Sequence, residues 1–377
     1  MIEKILGNQP FFTNKDIDNI LKEIRVVLEE GKLTQGKHLA RFESLFSESI
    51  SSKYALGVNS GGTALEIALR AINVEGSEVI VPTDTFMATP NSVVLAGGTP
   101  IFVDIDPDSF AIDIEDLKTK ITDKTKGIII VYMFGIIPDN LDEIINFCKE
   151  YNLFLMEDAA HAHGSTYNGV SAGNIGDIGC FSFYATKVLT SGEGGIISTN
   201  NIDFYESCKS IRGHGKSLTS SQFIRLGNNY RLSEIPSILG SYQVKRLAQF
   251  VKHRNNISQI YTRFFSNLDY VKIFKPTKKT VYSYWRYPLL VKTEIDRVKI
   301  QRIMDEEHNF RITWMYDPPC HLQPYYMSSR NYKEGDFPNA ESLLPKLICL
   351  PTHLNVTEAT AHRIAKTLDN IIQSEYL

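Results

Sequence analysis

The sequence has no CxxC pair, no run of Lys and Arg, and no apolar stretch near the ~18 residues that a membrane span requires. Each absence removes a class of protein. The five cysteines, Cys148, Cys180, Cys208, Cys320 and Cys349, are odd in number and far apart, so they support neither a disulfide framework nor a zinc ribbon. A net charge of −3 with no basic run leaves no footprint for nucleic acid or an anionic membrane. The opening MIEKILGNQPFF lacks the basic start and longer apolar core of a signal peptide. The GxGxxG turn that a nicotinamide-binding Rossmann enzyme needs after its first strand is missing too. A soluble chain in a reducing compartment, the cytoplasm, is the expectation.

What is present is a chain of 377 residues, 43% hydrophobic, long enough to bury a core without staples. Thr13 is placed as an N-cap, with Ile17, Ile20, Leu21, Ile24, Val27 and Leu28 on one helix face and Gly31 as the stop. Short apolar runs then alternate with amphipathic stretches. The runs are EVIVP (78–82), PIFVDID (100–106), GIIIVYMF (127–134) and LFLMED (153–158), with helices centred on 65–72, 90–95, 114–121 and 141–151. Continuous Val/Ile/Leu runs separated by helices predict strands buried on both faces, hence a mainly parallel α/β sheet. From Ile235 to Leu268 the spacing predicts a single long helix despite Pro236. YWRYPLLV (284–291), a helix near 295–308, a DPPC bend (317–320) and a helix near 357–372 predict a smaller C-terminal α+β domain. The expected division is 1–250, carrying the start of the long helix, and 251–377.

Four segments bear chemistry, all at turns or strand ends, and ligands of open α/β sheets bind beyond the carboxyl ends of the strands. In NSGGTALEIAL (59–69), Gly61 and Gly62 before a helix starting at Thr63 make either a phosphate seat or a plain tight turn. Asp158 closes an apolar run, as a carboxylate at the ligand edge or as a helix cap. His161 and His163 form an H-x-H, but no further ligand stands at a recognisable spacing, so no metal is expected. Lys187, among small, hydroxylic and aromatic residues before Gly-Glu-Gly-Gly, is either a surface lysine or a desolvated Schiff-base former. LGNNYRLSE (226–234) is a polar loop ahead of the long helix.

Taken together, these segments resemble the DegT/DnrJ/StrS group of pyridoxal-phosphate (PLP) sugar aminotransferases. The likeness covers nearly the whole chain: GKLTQGKHLARFE (31–43), VNSGGTAL (58–65), VPTDTFMAT (81–89), GGTPIFVDID (97–106), EDAAHAHGS (157–165), FSFYATK (181–187), GEGG (192–195), IRGHG (211–215), NNYRLSEI (228–235) and LPTH (350–353). The resemblance implies the fold-type-I PLP transferase architecture: a large domain with a mostly parallel central sheet flanked by helices, and a smaller α+β domain. It implies that Lys187 holds PLP covalently and that Asp158 pairs with the pyridine nitrogen. Phe86 matches the aromatic against the cofactor ring, and His161 matches the residue near its 3-hydroxyl. Ser182 and the turn of Gly61, Gly62 and Thr63 match the phosphate seat. Asn229 matches an asparagine that reaches the phosphate from a neighbouring subunit, which implies a homodimer with shared sites.

The chain departs from the group at two positions. Gly62 stands where relatives commonly carry Thr, with Thr63 as a substitute hydroxyl, and Tyr132 stands where many carry His. The expected function is transfer of an amino group from L-glutamate to a keto-sugar, nucleotide-linked, in amino-sugar and polysaccharide biosynthesis, with the cofactor cycling between PLP and its aminated form, PMP. The alternatives are a small phosphorylated ketone as acceptor, or a PLP-dependent sugar dehydratase. Relatives of the dehydratase type carry His in place of the lysine. A non-catalytic regulator on this fold would have lost Lys187 or Asp158, and both are present.

Overall fold

A computed structural model of the chain describes residues 4–377. The N-terminal helix α1 (Asn14–Glu30) starts at a capping box in which Thr13 and Asp16 bond each other's backbone N–H, and it stops at a left-handed Gly31. The next helix, α2 (Lys37–Ile50), has no side-chain cap of its own. Its first N–H groups are satisfied by the buried carboxylate of Glu234, which accepts from Gly36, His38 and Leu39 at 2.9–3.2 Å. That partner lies almost two hundred residues away, which is why local spacing gives no start signal for α2.

Seven strands build the main sheet: β1 (Tyr54–Val58), β2 (Glu78–Pro82), β3 (Thr99–Val103), β4 (Thr125–Val131), β5 (Phe154–Asp158), β6 (Ile178–Ser182) and β7 (Gly195–Thr199), in the order β1-β7-β6-β5-β4-β2-β3. Only β7 runs antiparallel to its neighbours. The helices α3 (Gly61–Ile72), α4 (Ala88–Leu95), α5 (Ile114–Lys120), α6 (Leu141–Glu150) and α7 (Ile202–Arg212) connect and cover it. The buried runs Ile128–Ile130, Val79–Val81 and Ile196–Ile197 explain the unbroken apolar stretches. Two of the expected strands are shorter than their runs. β3 ends at Val103, and β4 ends at Val131, because the chain turns through a 3₁₀ segment at Met133–Gly135 with Phe134 at φ +59°.

The long helix expected over 235–268 is two helices, α8 (Glu234–Val244) and α9 (Leu247–Phe265). Arg246, at φ −103° and ψ 1°, leaves the helical region between them. Its guanidinium reaches back to the start of α1, donating to Asp16 at 2.6 Å and Thr13 at 3.1 Å. The apolar period runs on through this break because the cause is a tertiary tie.

The C-terminal part holds a three-stranded antiparallel sheet, β8 (Val271–Ile273), β9 (Tyr287–Val291) and β10 (Leu347–Leu350), with β9 in the middle. The helices α10 (Arg297–Glu306), α11 (Pro324–Arg330), α12 (Pro338–Leu343) and α13 (Glu358–Tyr376) complete it. A short hairpin at 166–171 pairs with Thr280–Val281, and Ile5 bridges to Phe310. We propose that the two sheets mark two domains meeting close to residue 250, in the first turn of α9. Among the described residues no helix is long and apolar enough to cross a membrane.

Candidate active site

Because β1, β2, β4, β5 and β6 all run one way, their carboxyl ends converge on one edge of the sheet. The reversed β7 brings its amino end, Gly195, to the same edge. The approach there is close: a side chain on Gly195 would lie 2.2 Å from the Ser60 carbonyl. A cavity opens over this edge. It is lined by Gly61 and Gly62 after β1, Phe86 and Thr89 after β2, Asp158 at the end of β5 and His161 after it, and Ser182 at the end of β6 and Lys187 after it. Trp285 and Tyr316 from the C-terminal part close it.

The helix at the phosphate-seat turn starts at Gly61, two residues before the expected Thr63, with Ser60 as its N-cap. Ser60 Oγ accepts from the Thr63 N–H at 3.1 Å, and the two hydroxyls lie 2.8 Å apart. Ser60, Gly61 and Gly62 line the cavity, and the Thr63 hydroxyl sits behind Ser60 Oγ. Gly61 packs against Ser182, whose Cβ would lie 2.6 Å from a side chain there, so glycine lets the helix N-terminus reach the end of β6. The opposite holds at Gly62, where a side chain would meet only Ala88 at 3.5 Å and Ser60 Oγ at 4.0 Å.

Asp158 is buried at the end of β5. Thr89 Oγ1 donates to its Oδ2 at 2.8 Å, Thr85 Oγ1 lies 2.8 Å from Thr89 Oγ1, and the Ala160 N–H donates to Oδ1 at 3.2 Å. Burial raises its pKa, against the pull of Thr89, the Ala160 N–H and the Lys187 ammonium. Lys187 follows a tight turn in which its N–H donates to the Tyr184 carbonyl. Its amine makes no hydrogen bond or ion pair among the described residues and faces the cavity 4.4 Å from the centroid of the Trp285 ring. Desolvation lowers its pKa to about 7; Asp158 opposes that shift and Arg286 adds to it. Lys187 is half-buried, with its amine turned into the cavity.

His161 stacks on Trp285 at 3.8 Å between centroids, and its Nδ1 is buried without a partner. Burial, followed by the nearby Lys187 and Arg286 charges, holds its pKa well below 6.5, so the imidazole is neutral. The other member of the H-x-H, His163, is buried among Phe46, Phe181 and Phe183. Phe86 is exposed at the mouth, tilted against Tyr316 at 5.5 Å. Asn229 is exposed and does not line this cavity.

Thr89, Trp285 and Tyr316 carry the site as well, and none received a role from the sequence. Thr85, in the turn after β2, and Thr89, in the first turn of α4, bring their hydroxyls together in TFMAT. Trp285 had no local signal, since it meets Lys187 and His161 only through the packing of β9's lead-in against the main sheet.

A desolvated lysine beside a buried carboxylate, at the carboxyl edge of a mostly parallel sheet, defines a lysine-dependent enzyme of the α/β class. The model of the DegT/DnrJ/EryC1/StrS aminotransferase family matches residues 14–369, and the chain belongs to that family. GDP-perosamine synthase of Escherichia coli O157:H7 is 33% identical over 338 residues, covering 89% of this chain and 90% of that one. Helicobacter pylori PseC, an aminotransferase involved in the biosynthesis of pseudoaminic acid, superimposes with a TM-score of 0.90 at 28% identity, over 99% of this chain and 100% of that one. A Streptococcus pneumoniae sugar aminotransferase in its PLP-form does so with a TM-score of 0.89 at 26% identity, over 98% and 99%. The fold is that of the PLP-dependent aminotransferases of fold type I, and the chain is an aminotransferase.

Proposed function

We propose that the chain is a PLP-dependent aminotransferase that moves an amino group from L-glutamate to a nucleotide-linked keto-sugar in amino-sugar biosynthesis. The observation that carries this reading is Lys187, whose amine has no polar partner among the described residues and faces a cavity that also holds the buried Asp158, desolvation lowering its pKa to about 7. The aminotransferase relatives, one named for a GDP-linked product, support the acceptor class.

The cavity suits PLP on three counts. Asp158 offers a carboxylate already oriented by Thr89 and Ala160, able to pair with a pyridinium nitrogen. The free first-turn N–H groups of Gly61 and Gly62, beside Ser182, suit a phosphate at a helix N-terminus. Phe86 offers an aromatic face at the mouth, and the neutral His161, with its orphaned Nδ1, suits a phenolic oxygen.

Bound there, PLP supplies an electron sink for charge developing at the carbon that loses its proton. The other tasks fall to the chain. Asp158 keeps the ring nitrogen protonated by its buried charge. Lys187 anchors the cofactor and, once displaced by the amino donor, takes the proton from the donor's Cα; a pKa near 7 lets the same group give and take protons at neutral pH. Trp285, Tyr316 and Phe86 limit water over the reacting carbon.

The active unit in this reading is a homodimer with shared sites. Asn229 is exposed outside its own cavity and adjoins a segment that leaves Leu218, Phe223, Ile224 and Leu226 exposed, an apolar surface for a second copy to cover.

The deciding experiment supplies ¹⁵N-glutamate and a panel of keto-sugar nucleotides and small phosphorylated ketones, with products read by mass spectrometry. The expected product is an amino-sugar carrying the label, formed one-for-one with 2-oxoglutarate. A deoxy-sugar with ammonia released would replace the reading with the dehydratase, and labelling of the small ketones alone would replace the acceptor.

A further inference from the structure

Trp285 reaches the site from the far side of the molecule. It is fixed there before any ligand arrives. Its N–H donates to the Phe134 carbonyl at 2.8 Å, and its own carbonyl accepts from the buried Arg254 at 3.0 Å. The preceding Ser283 bonds Ser165 through its N–H and the His161 carbonyl through its hydroxyl, at 2.9 Å each. The indole N–H donates to the carbonyl of Thr186, the residue just before Lys187. The ring has His161 stacked on it, and it also has the Lys187 amine 4.4 Å and the Arg286 guanidinium carbon 4.6 Å from its centroid. No carboxylate forms an ion pair with Lys187 or Arg286 among the described residues, and the indole lies against both cations.

We propose that Trp285 is a positioning residue for Lys187: its ring is the resting place of the lysine amine whenever that amine is not bonded to the cofactor. The proposal rests on the reading of Lys187 as anchor and proton carrier. In that cycle the lysine is released in each half-reaction and must wait within reach, neither swinging into solvent nor closing on Asp158. An aromatic face suits this task. It attracts the ammonium form without donating to it, accepting a proton from it or bonding to it. The N–H tie to Thr186 fixes the ring relative to the lysine's own backbone, so the amine leaves and returns along one path. Asp158, the carboxylate whose charge reaches Lys187, is thereby left to the ring nitrogen.

The test uses protein stripped of cofactor and follows acylation of Lys187 against pH by peptide mass spectrometry, which reads the fraction of free amine directly. Wild type is expected to label with a midpoint near pH 7. Because the ring favours the charged form, Trp285→Leu lowers the midpoint by about one pH unit, while Trp285→Phe lowers it by less. The chain has two tryptophans. In a Trp314→Phe background, fluorinated tryptophans at 285 weaken the ring's negative face without changing its shape, so the test survives if Trp285→Leu does not fold. The midpoint should fall stepwise with each added fluorine. A flat series with Lys187 labelled overturns the role of Trp285 and leaves the function standing. Borohydride that fixes no pyridoxyl group on Lys187 of the wild-type holoenzyme overturns the function instead.

Discussion

Two consecutive carboxylates on β5 face opposite sides of the sheet and live in opposite conditions. Glu157 points away from the cavity and is saturated. It accepts from the N–H groups of Gly173, Ile175 and Gly176 and from the Tyr132 hydroxyl, all at 2.7–2.8 Å. Asp158 points into the cavity and holds one hydroxyl and one longer backbone bond. Both are buried, and burial raises the pKa of both. The difference lies in what opposes it: four fixed donors on one side, and on the other a partial set that leaves room for a ligand. Glu157 ties the 173–176 segment to the sheet, and Asp158 is kept under-bonded for a positive partner. A saturated buried anion stabilises the fold, whereas an under-bonded one stores binding capacity at the fold's expense.

Substitutions at the two positions should therefore fail in different ways. The largest effect is expected at Asp158. Asp158→Asn keeps the shape but loses the charge, so turnover should fall about 10³-fold while the urea midpoint barely moves. Loss of fold with retention of rate per folded molecule would erase the distinction. Next comes Glu157→Gln, which turns an amide N–H₂ toward backbone donors and should cost about 2–3 kcal/mol in urea unfolding. Tyr132→Phe removes one of the four donors and should cost about 1–2 kcal/mol at unchanged kcat. If Glu157→Gln instead lowers kcat as far as Asp158→Asn does, the two carboxylates act as one unit. The smallest effect is at Thr89. Thr89→Val deletes one bond to Asp158 and should lower kcat about tenfold, equivalent to one charge-assisted hydrogen bond. An unchanged rate there would show that Ala160 alone orients Asp158.

How much of this was legible beforehand differs between the two carboxylates too. Asp158 ends an apolar run, and a carboxylate at that place in a buried strand stands out from sequence alone. Glu157 sits one residue earlier in the same run, but its partners at 173–176 belong to an irregular turn that no periodicity describes. The strands β2 and β5 follow their runs closely because burial on both faces demands continuous apolar residues. The α8–α9 break and the start of α2 were hidden for one shared reason. Each is set by a side chain from distant sequence, Arg246 on Asp16 and Glu234 on Gly36, and spacing carries no trace of such ties. Trp285 belongs with them: it reads as a strand residue until the packing brings it over Lys187.

The bridge between Ile5 and Phe310 has a bearing on how the chain is made. Ile5 exchanges bonds with Asn309 and Arg311, and the Leu6 carbonyl lies 2.9 Å from the His353 ring nitrogen. Ile5 and Leu6 thus find their seat only after roughly 300 more residues have been added, about 15–60 s later at ordinary elongation rates. The seven-stranded sheet, whose last strand ends at Thr199, can close well before then. Ile5 and Leu6 stay undocked throughout that interval. Early proteolysis beside Ile5 and Leu6 should strike the assembly of the C-terminal part and leave the main sheet intact.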